Sequence, residues 1–177
     1  MDDEYLDKSP AAGRMGKAAE LLIAASCILA TRGELNVSTS LIDDEGVDLV
    51  FHRRGSSATL AVQVKARMSD GTAISRGRFL ASVRASTFTS RPDFDLLFVV
   101  IDAERGAIIT AWLVPSADYA SRSYGPSSRG RYRFSASLKP ESEDQWATYR
   151  LKPADLAKRI LDRLEKLAEG NHTASPG

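Results

Sequence analysis

The chain has 177 residues, 43% hydrophobic and 27% charged, which suits one soluble globular domain with room for a proper core. Cys27 is the only cysteine, so an intramolecular disulfide and a Cys-based zinc site are both excluded. The longest apolar run, residues 21–30, is too short to span a bilayer, and the acidic start Met1-Asp2-Asp3-Glu4 is unlike the basic start of a secretory leader; no membrane association and a reducing cytoplasm are expected.

In chain order, Ser9-Pro10 is a helix-start signal, with serine at the cap and proline at the first helical position. The pattern predicts a helix to about Thr31, ended by Gly33. Leu21, Leu22, Ala25, Cys27, Ile28 and Leu29 leave that helix few polar faces, so packing on more than one side is expected. Residues 35–42 alternate as a half-buried strand, and Asp43-Asp44-Glu45-Gly46 is a turn. Residues 47–53 and 58–66 form two further strands around Arg54-Gly55-Ser56-Ser57. Residues 67–78 read as a loop, and 79–88 as a helix with Phe79, Val83 and Phe88 on one side.

Residues 96–101 are continuously apolar, the pattern of a strand covered on both faces. Residues 107–114 return as a strand, Pro115 opens a short helix to about Arg122, residues 123–130 read as a mobile loop, and 131–138 alternate as an outer strand. A short extended piece at 145–151 precedes an amphipathic helix started by Pro153. Its stripe is Leu156, Ile160, Leu164 and Leu167, and Gly170 is its expected cap. The expectation is an α/β fold: a central mixed β-sheet flanked by helices in αβββαβ order, with a C-terminal helical extension. One domain would span residues 9–169, between a disordered acidic N-terminus (1–8) and a disordered tail (170–177).

The net charge of +1 hides an uneven distribution. Between His52 and Pro92 there are eight cations against the single acid Asp70, and between Tyr119 and Lys139 there are five cations and no acid. Basic surface of this kind suits a phosphate backbone, although solvated loop arginines give the same count.

Two strand-like runs carry polar groups where a buried strand should be apolar: Gly46-Val47-Asp48-Leu49-Val50 and Val62-Gln63-Val64-Lys65-Ala66. Burying such groups uncompensated costs on the order of a few kcal/mol each. They are tolerated where they meet one another, or a metal and a phosphate. A strand places residues i and i+2 on one face, so Gln63 and Lys65 point one way and Val62, Val64 and Ala66 the other. A hairpin centred between Gly55 and Ser56 sets Asp48 directly across from Gln63, on the same face. A one-residue slip would separate them. Glu20, at the start of the apolar run of the first helix, is either a surface residue or the far wall of this pocket.

The run Gly16-x-x-x-Glu20, then Gly46-Val47-Asp48, then Gln63-x-Lys65 resembles the core of the PD-(D/E)XK nuclease superfamily. The Gln-Val-Lys form is similar to Mrr-like restriction endonucleases and Holliday-junction-resolvase-like proteins. The resemblance covers residues of about 14–115 and implies a restriction-endonuclease-like core. It implies a metal-dependent nuclease acting on nucleic acid, DNA in the first place, with Mg²⁺ or Mn²⁺ as cofactor. Asp48 would be the main metal ligand, because a hard cation prefers carboxylate oxygen. Gln63 would offer its amide oxygen, the Val64 carbonyl would lie in reach, and Glu20 would act through water. Lys65 would orient or deprotonate the attacking water, or stabilise charge on the phosphate. The commoner motif has an acid at the Gln63 position, so this site carries one negative charge fewer.

Arg53, Arg54, Arg67, Arg76 and Arg78 flank the pocket in sequence and are the expected nucleic-acid contacts. Cutting both strands of a duplex needs two sites, so a homodimer is expected. The rival readings are a non-catalytic nucleic-acid-binding protein of the same fold and a protein-interaction module. His52 and His172 are too isolated for a ligand pair, and Cys27, Trp112 and Trp146 read as core residues.

Overall fold

A computed structural model describes residues 10–41 and 45–172. The acidic N-terminus, Ser9, Ile42 at the end of the expected strand 35–42, Asp43, Asp44 and the tail from residue 173 lie outside the described residues.

Helix α1 (Pro10–Ala30) buries only Ala19, Ile23 and Cys27. Leu21 and Leu29 are 59% and 74% exposed, so the expectation of packing on several sides fails. The helix lies on one face of a sheet and turns a second apolar stripe outward. Burial pushes the Cys27 thiol up to about 12, which fits an inert core residue.

The end of α1 is a Schellman motif. Gly33 N–H donates to Ile28 O at 2.9 Å and Arg32 N–H to Leu29 O at 3.2 Å. The first left-handed residue is Arg32 (φ 53°), ahead of Gly33 (φ 82°). A side chain in that conformation costs on the order of 1 kcal/mol. Arg32→Gly is therefore expected to stabilise the fold by about 1 kcal/mol, read as a rise of a few degrees in the thermal unfolding midpoint.

Strands β1 (Leu35–Thr39), β2 (Leu49–Arg53) and β3 (Thr59–Met68) form an antiparallel meander. A one-turn helix α2 (Thr72–Ser75) and strand β4 (Arg78–Arg84) follow, then β5 (Phe94–Asp102) and β6 (Ala107–Pro115). Helix α3 (Ser116–Arg122), strands β7 (Arg131–Ser137) and β8 (Arg150–Leu151) and helix α4 (Leu156–His172) complete the chain. The main sheet has the order β1-β2-β3-β5-β6-β8. Only β3 and β5 run parallel; the other neighbours are antiparallel. Every residue of β5 from Phe94 to Ile101 is buried, as its unbroken apolar run requires.

One face of the sheet is covered by α1 and α4, with Ile23 and Cys27 meeting Leu97, Val99, Ile160 and Leu164. Helix α4 is the expected C-terminal helix, packed against the sheet. It runs to His172, so Gly170 lies inside it instead of capping it. Its charged Arg163 reaches the fully buried Asp95 of β5 with two hydrogen bonds, 2.8 Å from Nε and 2.6 Å from Nη2.

The opposite face is covered by a two-stranded ribbon of β4 and β7, together with α3. The helix expected over 79–88 is therefore wrong: residues 78–84 are a strand. Phe79 and Val83 fit either a helical or a strand period, and the partner that decides between them, β7, lies far downstream. Phe79, Ala81 and Val83 are buried from β4, and Phe134 and Ala136 from β7. Phe134 stacks on Phe98 with ring centroids 3.6 Å apart, and Trp112, Tyr119 and Trp146 close the aromatic cluster. The loop expected over 67–78 is shorter, because β3 continues to Met68 and α2 follows. Within the piece expected to be extended at 145–151, Ala147–Tyr149 form a 3-10 turn and only Arg150–Leu151 pair, with β6. Among the described residues, no helix is long and apolar enough to cross a membrane.

Candidate functional site

The β2–β3 hairpin pairs Leu49 with Val62, Val50 with Ala61 and His52 with Thr59. That register ends at Leu49 and Val62 and is not carried on to Asp48. Asp48 stands just before β2, where the strand turns away from its neighbour. Its backbone N–H donates to Val62 O at 3.0 Å, and its Oδ2 accepts the Val64 N–H at 2.6 Å. The carboxylate thus takes a place in the ladder that a backbone carbonyl would otherwise fill. In an extended strand one residue's N–H and C=O leave by the same edge. The Val64 carbonyl therefore faces the same side as Asp48.

Gln63 and Lys65 pair with Leu96 and Phe98 of β5 and share their face of the sheet, the one covered by the ribbon. Val62 and Val64 point to the α1–α4 side. Gln63 is 8% exposed, and Lys65 is half-buried. Gly46 has φ 69°, and a Cβ there would lie 3.0 Å from Gln63 Nε2. Only glycine meets both the left-handed backbone and the close approach to the amide. Gly46→Ala is expected to cost about 2 kcal/mol in chemical denaturation, from backbone strain and displacement of Gln63.

Glu20 is placed differently. It follows the buried Ala19 on α1, the helix on the other face, and its carboxylate meets Lys17 Nζ at 2.5 Å. Glu45 beside the turn pairs with Arg91 at 3.5 Å. No group of three or more His, Cys, Asp or Glu able to hold a metal occurs among the described residues. The candidate donors named by the sequence are one carboxylate, one amide oxygen and one backbone carbonyl. Such an all-oxygen set suits a hard divalent cation more than a soft one.

The arginines divide. Arg53 ion-pairs with Glu34 at 2.5 Å, and Arg54 N–H donates to Glu34 O. Both lie at the far end of β2, about 17 Å along the strand from Asp48. Arg67 donates from Nε to Leu80 O at 3.0 Å and from Nη1 to Ala66 O at 2.8 Å, and covers the Phe79 ring. It fastens β4 to β3. Arg76 is exposed at the end of α2, and Arg78 is exposed at the start of β4. Arg84, Arg131 and Arg133, counted in the sequence only as part of the basic surface, are set by strand pairing on one ribbon, with Arg78 at its other end. The alternation of 131–137 was the available signal; reading 79–88 as a helix removed its partner.

A separate surface groove between α4 and the end of β6, lined by Leu113, Pro115, Tyr149, Arg159 and Lys166 among others, contains none of these candidate residues.

No protein-family model and no curated protein matches the chain. Among solved structures, the chain is similar to a bacterial homing endonuclease, I-Ssp6803I, at 21% sequence identity and a TM-score of 0.55, over 95% of this chain and 100% of that one. At this identity the likeness shows the fold alone.

Proposed function

We propose that this protein is a metal-dependent nuclease that hydrolyses phosphodiester bonds of DNA, a Gln-x-Lys member of the PD-(D/E)XK type. The observation that carries the reading is the Asp48 carboxylate held on the backbone of the strand that sets Gln63 and Lys65 on one face. The fold shared with a homing endonuclease supports it.

Asp48, the Gln63 amide oxygen and the Val64 carbonyl would hold Mg²⁺ or Mn²⁺, which when bound supplies charge neutralisation at the phosphate and a more acidic water. Lys65, two residues along the same face, would orient the attacking water and stabilise the charge that builds on the phosphate oxygens. The water oxygen bonds to phosphorus as the bond to the leaving sugar oxygen breaks. Glu20 would take part only by way of water, given its place on α1 and its pairing with Lys17. A homodimer would supply the second site for cutting both strands.

The test is nicking of supercoiled and branched DNA in Mg²⁺, Mn²⁺ or EDTA, with wild type, Asp48→Ala and Lys65→Ala. Cleavage by wild type that EDTA and both substitutions remove is the expected result. Cleavage unchanged in both variants would end the assignment. The acid-poor donor set favours one alternative, a nucleic-acid-binding protein of this fold that does not cleave. Salt-dependent binding with no cleavage in any metal would select it.

A further inference from the structure

The ribbon of β4 and β7 has two unlike faces. Its inner face is the aromatic and aliphatic cover of the sheet. Its outer face is formed by the alternate residues, paired Arg84 with Arg131, Ser82 with Arg133, and Leu80 with Ser135, with Arg78 at the far end. Neither strand contains an acid, so the outer face carries four positive charges and no negative one. Arg78 donates to Ser135 Oγ, and Arg131 to Ser82 Oγ at 3.3 Å, so two guanidinium groups lie across the ribbon onto the opposite strand. Leu80 is 42% exposed between them, an apolar side chain left on an otherwise polar face.

We propose that this ribbon is a recognition element that enters the major groove of duplex DNA. The proposal rests on the nuclease reading and assigns its substrate contact. Seven paired residues span about 20 Å, and the major groove of B-form DNA, about 12 Å wide, admits a two-stranded ribbon. The end arginines meet phosphates along the groove walls. Arg133, the serines and Leu80 occupy the middle, where arginine, hydroxyl and apolar groups meet base edges and thymine methyls. The ribbon covers the sheet face that carries Gln63 and Lys65 and is fastened to β3 by Arg67. The deep, narrow major groove of duplex RNA would not accept it.

The test is the anisotropy of a short labelled DNA duplex and an RNA duplex of the same sequence, titrated with the full chain in EDTA over a range of KCl. The variants are Arg84→Gln/Arg133→Gln and the charge-keeping Arg84→Lys/Arg133→Lys, each checked by thermal unfolding. The expected result is that the glutamine variant binds DNA at least about tenfold more weakly, with a salt slope smaller by about 0.9 from the phosphate contact of Arg84, while the lysine variant keeps the slope. An unchanged slope and affinity for DNA in the glutamine variant would overturn the proposal, and so would an equal loss on the RNA duplex. Binding in EDTA does not depend on chemistry, so the two readings fail separately. Normal DNA binding by the glutamine variant of an active nuclease sinks the ribbon alone. Ribbon-dependent binding by a protein that never nicks sinks the nuclease reading alone.

Discussion

Asp48→Asn is expected to lower DNA nicking by at least about a hundredfold while leaving the fold close to wild type. The reason is the double duty of this carboxylate. Its Oδ2 accepts the Val64 N–H at 2.6 Å, a structural bond, and its charge is the carboxylate the proposed metal site depends on, since β2 and β3 themselves contain no acid. Asparagine keeps an acceptor oxygen and removes the charge. Alanine removes both, leaving the Val64 N–H without its partner at a further cost of about 1–3 kcal/mol. Nicking rates and urea midpoints on the same two variants separate the roles. If both lose activity but only alanine loses stability, the charge serves chemistry and the oxygen serves the fold. If asparagine cleaves like wild type, Asp48 is only a piece of the hairpin.

The second large effect is in α4. Arg163→Met is expected to destabilise the protein by about 3–5 kcal/mol in chemical denaturation, because it leaves the Asp95 carboxylate buried without its partner. Asp95 is fully buried, and Arg163 Nη2 also donates to Pro92 O at 3.0 Å, so one guanidinium ties α4 to the start of β5. Burial holds the Asp95 carboxyl above its ordinary range, while the hydrogen bonds and charge of Arg163 pull it back down. A carboxyl raised in the folded state favours folding most at low pH, and that contribution is lost as pH rises through the folded value. Without Arg163 the carboxyl rises further. The deficit of the variant relative to wild type should therefore be smaller in acid and widen toward neutral pH. A deficit that does not change with pH would mean that Asp95 is not the group left exposed to the loss.

Much of the sheet was legible because its strands announce themselves locally. The unbroken apolar run of β5 can belong only to a strand covered on both faces, and the meander β1–β2–β3 alternates with turn residues between. The hairpin register was legible for the same reason: Gly55-Ser56 fixes the turn, and the apolar parity of Leu49 and Val62 agrees with it. Strand β4 was not legible. Phe79 and Val83 satisfy two periods at once, and the choice depends on Phe134 and Ala136 of a strand in another part of the chain. The outward face of α1 was hidden likewise. Leu21 and Leu29 look like core residues until the sheet fixes which side of the helix is inside. Arg163 gave no sign of its partner, since Asp95 is reached only by folding α4 back across the sheet.

What the sequence by itself determined was the strand pair, its register, and the polar residues Asp48, Gln63 and Lys65 that interrupt an apolar pattern, all set by spacing over short distances. What only the tertiary structure decided was which elements cover each face. It set Glu20 on the opposite layer with Lys17, moved Arg53 and Arg54 to the far end of β2, made Arg67 a clamp, and built an arginine-rich ribbon from two distant segments. Local periodicity specifies an element and its faces, but long-range burial chooses the partner, and that choice is made by the summed packing of the whole core.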